Sequence, residues 1–397
     1  VRAARQRVTM VGRYRVRTPE ESAMTEFSRR QAMLGLSSLG LASFGAASIG
    51  TRRALAQPTG RETELAPYPS AWLPDGVRSR FVNNINGLRV HVLEAGYETP
   101  DRPALLLLHG FPELAYSWRN VMVPLAEAGY HVFAPDVRGY GRTTGWSSDY
   151  DADLAPFRRL NKVRDALGLV LAFGHRSVAA VIGHDAGSPL AGWCAVTRPD
   201  IFPAVVMMSA PFGGTSTLPF DTADDPPQAP AARRQSIYDD LAGLPRPRKH
   251  YQRYYTTRGA NENMWHASQG IHDFIRGYYH FKSADWEGNT PYRLAARTAE
   301  EWAKMPNYYI MQLNQGMSET VADVMPSATH IAANSWLPDS ALRVYAEEYG
   351  RTSFQGGLNG YRMGGSRVGA EEVQLYAGRT IDQPSMFISG ASDWGTY

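Results

Sequence analysis

The turn that follows a short apolar run at residues 178–182 constrains the fold of this chain most. The run is typical of a buried strand, and residues 189–196 have a helical pattern. Between them, Asp185 is flanked, two positions away on either side, by Gly183 and Gly187. When a strand passes directly into a helix, the turn is so tight that only small residues fit at those two positions. The spacing therefore predicts a strand–turn–helix elbow with Asp185 at its apex.

An aspartate at such an apex predicts nucleophilic chemistry by a carboxylate. A carboxylate is expected to attack a saturated carbon and form an ester, which water then cleaves at the carboxyl carbon. The positive end of the helix that follows Asp185 favours the ionised side chain. The alternative is that Asp185 only caps an ordinary crossover helix, because aspartate is common before helices. This segment alone leaves both interpretations open.

A second motif follows an earlier apolar run at residues 104–108. In a sheet of this kind, the loop after that strand supplies one backbone N–H of an oxyanion hole, and the residue after the nucleophile supplies the other. The candidate donors are the N–H groups of Phe111 and Ala186, which would stabilise the oxyanion formed when water attacks the ester. The side chain of His109 is interpreted as structural. The residues expected to support the loop and the elbow are His109, Gly110, Pro112, Gly183 and Gly187.

Short apolar runs alternate with helical patterns, which is the order expected of an α/β fold with a mostly parallel sheet flanked by helices. The predicted strands are 81–84, 89–93, 104–108, 131–134, 178–182, 204–209 and 385–389, and the predicted helices are 118–128, 155–172 and 189–196. Asn86 and Gly87 lie between the first two strands and predict a tight hairpin. Residues 248–365 are rich in aromatic side chains and have a helical pattern without alternating strands.

The composition divides the chain into five segments. An α/β core at residues 78–212 is interrupted by a mostly helical insert at 213–366 and resumes at 367–397. Residues 57–77 contain Pro and Gly and are predicted to form a linker. Residues 1–56 are predicted to be an export signal with the residues upstream of it, and they are left out of the fold prediction.

The export prediction depends on a pair of arginines. Arg29 and Arg30 precede a weakly apolar run at 32–49 that is rich in Gly, Ser and Ala, and residues 54–56 fit the small-x-small rule for signal cleavage. The pattern predicts twin-arginine export to the periplasm or the exterior. No stable membrane span is expected in the mature protein, because the run is short and poor in Leu, Ile and Val. The alternative is a retained membrane anchor.

Charge and cysteine content exclude several classes of function. The whole chain has a net charge of +3, but residues 1–56 contain ten Arg and three Glu, so residues 57–397 carry −4. A mildly acidic body gives no reason to expect a nucleic-acid partner. The single cysteine, Cys194, excludes an intramolecular disulfide framework and is expected to be a buried apolar residue. No metal-ligand spacing or cofactor-binding motif is present, so neither a metal nor a cofactor is expected.

Several separate motifs over residues 78–397 resemble the α/β-hydrolase-fold epoxide hydrolases. They are His109-Gly-Phe-Pro112, Asp136-Val-Arg-Gly-Tyr-Gly141, Gly183-His-Asp-Ala-Gly187, Tyr251-Gln-Arg-Tyr254 and Gly356-Gly-Leu-Asn-Gly-Tyr-Arg362. In that family the insert is a helical cap, and two cap tyrosines donate hydrogen bonds to the epoxide oxygen. By motif position these resemble Tyr251 and Tyr361, and Tyr254, Tyr255, Tyr278 and Tyr279 are the nearby alternatives.

The resemblance also implies an acid after a late strand and a histidine further on. Asp393 fits the acid, because it follows an apolar run and a glycine turn. None of the ten histidines follows Asp393. The family's histidine, last core strand and last helix are therefore expected beyond Tyr397, in a longer gene product. We expect this polypeptide to form the ester at Asp185 but to turn over poorly.

The resemblance implies a hydrolase that opens a small hydrophobic epoxide to a vicinal diol without a cofactor. One alternative is a dehalogenase with the same Asp185 nucleophile, although Ala186 and Phe111 stand where halide donors are common. A catalytically incomplete hydrolase-like protein is the other. Ala186 and Gly360 also stand where family members often have larger side chains, which implies a roomier pocket. The sequence predicts neither substrate identity nor oligomeric state.

Overall fold

The structure is a computed structural model that describes residues 65–217 and 236–396. The predicted export segment lies outside the described residues, so that prediction stays open. Strands lie at Val77–Ile85 (β1), Leu88–Ala95 (β2), Ala104–Leu108 (β3), His131–Pro135 (β4), Ala180–His184 (β5), Val205–Met208 (β6), Arg248–His250 (β7), Ile310–Gln312 (β8) and Ser385–Ile388 (β9). Within the described ranges, none of the helices is long and apolar enough to span a membrane.

The α-helices alternate with the early strands and then dominate the insert. They lie at Arg119–Glu127 (α1), Arg159–Ala172 (α2), Gly187–Thr197 (α3), Ile237–Ala242 (α4), Tyr251–Tyr255 (α5), Gly259–Trp265 (α6), Ile271–Lys282 (α7), Ala299–Trp302 (α8), Met317–Ala322 (α9), Ala328–Ala333 (α10), Asp339–Thr352 (α11), Gln355–Gly364 (α12) and Ala370–Gln374 (α13). Short 3-10 turns at Ala115–Trp118 and Ala155–Phe157 precede α1 and α2.

A single seven-stranded sheet forms the core, in the order β1-β2-β4-β3-β5-β6-β9. β1, β2 and β4 pair antiparallel, and every further pairing from β4 to β9 is parallel. The predicted mostly parallel sheet is therefore confirmed. Because parallel strands end at the same edge, the loops after β3, β5, β6 and β9 lie together, which is where ligands bind in such sheets.

Most predicted strands are found close to their predicted bounds. β3 spans the predicted residues, and all five are buried because helices cover both faces of the sheet. The hairpin is also as predicted, since Asn86 and Gly87 both have positive φ angles, 49° and 83°, between the paired Ile85 and Leu88. β5 begins at Ala180, two residues later than predicted, where its pairing with β3 starts.

The residues before β1 pack on the sheet, which the prediction of a linker at 57–77 did not anticipate. Tyr68 is 5% exposed, and its backbone N–H donates to the hydroxyl of Ser79 in β1 at 2.8 Å. A guanidinium from Arg142 lies 4.5 Å from the centre of the Tyr68 ring. β1 itself begins at Val77, four residues before the predicted strand. The aromatic ring of Tyr68 therefore extends the core beyond the predicted boundary.

Between β6 and β9, the described residues are mainly helical, as predicted for the insert. They also contain a two-stranded antiparallel sheet, β7 with β8, that the sequence did not predict because each strand has only three residues. The insert contacts the core beside the edge where the parallel strands end. The hydroxyl of Tyr349 donates to the carbonyl of Glu113 at 3.0 Å, and the hydroxyl of Tyr279 donates to the carbonyl of Pro112 at 2.8 Å.

Two backbones touch where α12 meets the loop after β4. A Cβ placed on Gly356 would lie 1.9 Å from the carbonyl oxygen of Gly139, and one on Gly139 would lie 2.7 Å from the oxygen of Gly356. Gly139 also has a φ angle of +97°, which disfavours any side chain. The next residue, Gly357, lies against the ring of Phe111. Glycines at these positions therefore let α12 pack directly on the core.

We predict that Gly356→Ala destabilises the protein by about 1–3 kcal/mol, because the added methyl group overlaps backbone atoms that cannot move independently. The free energy of unfolding from urea titrations measures this change. The matched control is Gly350→Ala in α11, where nothing lies within 4 Å of the added Cβ. That variant should be neutral or gain up to about 1 kcal/mol from its greater helix propensity. Equal stability of the two variants would contradict the packing argument.

Candidate active site

Asp185 lies at the apex of the predicted elbow, between β5 and α3. Its φ angle is +49°, an unusual value for a residue with a side chain. A Cβ on Gly183 would lie 2.1 Å from the carbonyl oxygen of Gly187, and one on Gly187 would lie 2.2 Å from the carbonyl oxygen of Leu108. The two glycines are thus required by direct backbone contacts, and the strained turn exposes the Asp185 carboxylate at the strand ends.

Both candidate oxyanion donors contact one oxygen of this carboxylate. Oδ1 of Asp185 accepts a hydrogen bond from the Phe111 N–H at 2.9 Å and from the Ala186 N–H at 2.6 Å. Among the described residues, Oδ2 accepts no hydrogen bond. The contact with the loop is close, since a Cβ on Gly110 would lie 2.3 Å from the Cβ of Asp185. The two oxygens therefore have different surroundings: one is held by backbone donors, and the other is available to react.

Asp185 faces a cavity of about 410 Å³ between the core and the insert. Tyr251, the first residue of α5, and Tyr361 in α12 line the same cavity. Their rings are 6.1 Å apart, and Tyr361 also packs against Phe111 at 5.4 Å between ring centres. The resemblance of the motifs predicted that Asp185, Tyr251 and Tyr361 act together, and in the structure all three line one cavity.

Burial keeps both phenols protonated. Desolvation raises the pKa of Tyr251, and the nearby Asp185 carboxylate raises it further. Burial also raises the pKa of Tyr361, and the nearby Tyr251 and Asp185 raise it further. A phenol that stays protonated is a hydrogen-bond donor. The side-chain amide of Gln252 donates to the Tyr251 oxygen at 3.2 Å, so the Tyr251 proton is free to point elsewhere.

The hydroxyl groups of the alternative tyrosines form hydrogen bonds with other groups of the protein. Tyr255 and Tyr278 share a hydrogen bond of 3.1 Å, and Tyr254 donates to the side chain of Asn263 at 2.7 Å. Tyr279 donates to the backbone of the loop after β3, as described above. Of the tyrosines weighed from the sequence, Tyr251 and Tyr361 are therefore the pair that faces the cavity with Asp185.

Asp393 follows β9, at the same edge of the sheet. It accepts a hydrogen bond from the hydroxyl of Ser209, and its Oδ1 accepts the N–H of Gly395 at 2.9 Å. Ser209 comes directly after β6, whose Met208 carbonyl accepts the backbone N–H of Asp185 at 3.1 Å. Asp393 thus lies at the same edge as the elbow, with one strand, β6, between β5 and β9.

His109 supports the loop, as its structural interpretation expected. Its ring is 1% exposed, Nδ1 lies 2.9 Å from the carbonyl oxygen of Gly110, and Nε2 accepts the N–H of Val137 at 3.1 Å. Burial lowers the pKa of His109, so the ring is neutral. The Phe111–Pro112 peptide bond is cis.

Cys194 is buried, which raises the pKa of its thiol. Over the described ranges, no group of three His, Cys, Asp or Glu side chains could hold a metal ion.

An ion pair beneath the elbow was missed at the sequence level. His184, just before Asp185, lies 2.9 Å from Glu113, which also accepts the N–H of Gly110 at 3.1 Å. Glu113 raises the pKa of His184 to about 9. Burial raises the pKa of Glu113, but His184 outweighs this effect and lowers it to about 2. His184 lies inside one quoted motif and Glu113 directly follows another, at the ends of the paired strands β5 and β3, and this proximity could have revealed the pair.

A carboxylate at a strand–helix elbow, held by two backbone N–H groups at the end of a parallel sheet, defines the class of α/β hydrolases. The sequence profile of the alpha/beta hydrolase fold family matches residues 103–396. Epoxide hydrolase A of Mycobacterium tuberculosis (strain ATCC 25618 / H37Rv) is 31% identical over 318 residues, 80% of this chain and 83% of that protein. The chain belongs to the α/β-hydrolase-fold epoxide hydrolase family.

The chain is also similar to two other proteins, one over about a third of its length and one over most of it. AB hydrolase superfamily protein YfhM of Bacillus subtilis (strain 168) is 42% identical over 137 residues, which are 34% of this chain and 45% of that protein. The solved structure of an epoxide hydrolase from an endophytic Streptomyces matches with a TM-score of 0.59 at 30% identity, over 81% of this chain and 82% of that one.

We predict that Glu113→Gln changes the pH dependence of stability. The folded state raises the pKa of His184 from 6.5 to about 9, so it binds that proton more tightly than the unfolded state. The contribution is complete below pH 6.5 and is lost as the pH rises through about 9. The free energy of unfolding should therefore fall over this range in the wild type and fall less in Glu113→Gln.

Urea titrations at several pH values between 6 and 9 measure this difference. The control is Glu262→Gln, because Glu262 pairs with His266 at 3.4 Å but both side chains are more than half exposed. Solvent screens such a pair, so the control should keep the wild-type slope. A wild-type slope in Glu113→Gln as well would contradict the assignment of the effect to His184.

Proposed function

We propose that the protein hydrolyses epoxides to vicinal diols through an ester with Asp185. The observation that carries this proposal is the environment of one carboxylate. Two backbone N–H groups, from Phe111 and Ala186, point at Oδ1, while the same cavity contains the phenols of Tyr251 and Tyr361. The same reaction is supported by the family to which the chain belongs and by its similarity to epoxide hydrolases from Mycobacterium tuberculosis and an endophytic Streptomyces.

In the first step, Oδ2 of Asp185 attacks one carbon of the epoxide ring. The C–O bond at that carbon breaks, and its electron pair moves to the ring oxygen. Tyr251 and Tyr361 donate hydrogen bonds to that oxygen, and one phenol supplies the proton that makes it a hydroxyl group. The strained ring opens more readily because the leaving oxygen never has to carry a full charge.

In the second step, water attacks the carboxyl carbon of the ester. Negative charge develops on Oδ1, where the N–H groups of Phe111 and Ala186 already point, so no reorganisation is needed to stabilise it. The C–O bond to the diol then breaks, the diol oxygen takes one proton of the water, and the carboxylate is restored. The other proton of the water is removed by the base and replaces the one that the phenol gave up in the first step. Asp393 is the acid that we expect to orient the base for this water. The side chains of Phe111 and Ala186 have no N–H group, so these two positions offer a halide leaving group no side-chain hydrogen bond.

We predict that an aryl epoxide modifies the peptide that contains Asp185. After acid quenching within one turnover, digestion and mass spectrometry should show that peptide heavier by the mass of the epoxide. Asp185→Asn should lose the adduct, because an amide is a poor nucleophile. Asp393→Asn should keep it, because Asp393 is assigned to the second step only. An unmodified Asp185 peptide in the wild type would rule out the ester mechanism, and chloride release from a chloroalkane would favour the dehalogenase.

We also predict that Tyr251→Phe and Tyr361→Phe each slow ester formation by about 10²-fold, the usual size of a general-acid contribution. The rate is followed by intact-mass measurements on quenched samples, which do not depend on the second step. The control is Tyr254→Phe, because Tyr254 directs its hydroxyl to Asn263 and lies outside the cavity lining. Similar rates in all three variants would remove the two phenols from the mechanism.

A further inference from the structure

One wall of the active-site cavity carries positive charge that the mechanism does not use. Arg159 and Lys162, both in the first turns of α2, line the cavity together with Asp185. Among the lining residues that the structure describes, Asp185 is the only one with an acidic side chain. The first turn of α2 contains no acidic residue, so the positive end of the helix adds to the two cations. This wall therefore has an excess of positive charge.

Lys162 is a cation that forms no ion pair among the described residues, although Asp165 attracts it at longer range. It is partly buried, and within the described ranges its Nζ forms neither a hydrogen bond nor an ion pair. The nearest acid on its own helix, Asp165, is held by Arg138 at 2.7 Å and by Asn86 at 2.7 Å. Burial lowers the pKa of Lys162 to about 8, so the ammonium form still prevails at neutral pH. A partly desolvated ammonium group of this kind gains most from an anionic ligand.

Gly360 lies close to this ammonium group and lines the same cavity. A Cβ at Gly360 would lie 3.3 Å from Nζ of Lys162, so any larger side chain would compete for the space beside Nζ. The residue lies inside α12, and its φ angle is not positive. Backbone conformation thus does not require glycine at this position, in contrast to Gly139. The following residue is Tyr361, so the ammonium group lies beside the segment of α12 that carries one of the two phenols.

We infer that the substrate epoxide carries a carboxylate group, which Lys162 binds while the epoxide ring faces Asp185. This inference rests on the proposed function and specifies its substrate class. The charges also set the direction of the substrate in the cavity. A carboxylate near Asp185 is repelled, whereas the α2 wall attracts it, so the opposite end of the molecule is presented to the nucleophile. Lys162 is in this view a specificity residue, and Arg159 adds positive charge at the same wall.

Two matched epoxides test the inference. The epoxide 4-oxiranylbenzoate carries a carboxylate where 4-methylstyrene oxide has a methyl group, and the two reactive ends are alike. The measured quantity is the ratio of their second-order rate constants for ester formation on Asp185. The variants are Lys162→Met, Lys162→Arg and the control Arg164→Met, which removes an exposed charge from the other side of α2.

The wild type should prefer the carboxylate, and Lys162→Met should reduce the ratio about tenfold or more, the usual effect of losing a hydrogen bond to a charged group. Lys162→Arg should retain most of the preference, and Arg164→Met should retain all of it. A Lys162→Met ratio equal to that of the wild type overturns the inference, as does a wild type that prefers the methyl compound.

A binding measurement separates this inference from the proposed function. Calorimetry compares the diol 4-(1,2-dihydroxyethyl)benzoate with its 4-methyl analogue, and neither compound needs to react. If neither epoxide modifies Asp185 but the wild type binds the carboxylate diol preferentially, and Lys162→Met does not, the anion site stands and the ester mechanism fails. If the wild type shows no preference between the diols, the anion site fails regardless of the reaction.

Discussion

The site depends on the hydrogen bonds that converge on Oδ1 of Asp185. One N–H belongs to the elbow itself and the other to Phe111 in the loop after β3, so the two loops must approach to within bonding distance. That approach requires Gly110, Gly183 and Gly187, because a Cβ at any of them would overlap atoms of the neighbouring segment. The glycines therefore matter because they have no side chain, which lets the two loops approach each other. The Asp185 carboxylate is oriented by backbone N–H groups, which are fixed in position by the two loops.

The same principle places the insert on the core. The glycine contact between α12 and the loop after β4 brings Tyr361 against Phe111, and the buried Asp136 holds that loop in turn. Asp136 accepts the N–H of Ala115 at 2.8 Å and pairs with the equally buried His91 at 2.7 Å. A buried acid of this kind is stabilising only while all its partners are present. The phenols are thus positioned by a chain of contacts that begins in the sheet.

Much of the fold and part of the site could be predicted from local patterns. The short apolar runs predicted the parallel strands, because a strand that helices cover on both faces has apolar residues at every position and not only at alternate ones. Asn86-Gly87 predicted the hairpin, since both residues tolerate positive φ angles. The strands β7 and β8 were not predicted, because a strand of three residues is too short to show a recognisable alternation of apolar and polar residues. Lys162 also escaped, because a single lysine in a helical pattern normally indicates an exposed surface.

The amino-acid sequence was enough to predict the elbow, because only small residues fit two positions away from Asp185 in so tight a turn. It was also enough to predict the class of fold, because the alternation of strands and helices admits few other arrangements. The tertiary structure alone decided which tyrosines face the carboxylate, that Glu113 pairs with His184, and that Lys162 borders the cavity. Those relations join segments up to about two hundred residues apart, and no local pattern records which distant side chains will meet once the sheet and the insert have packed.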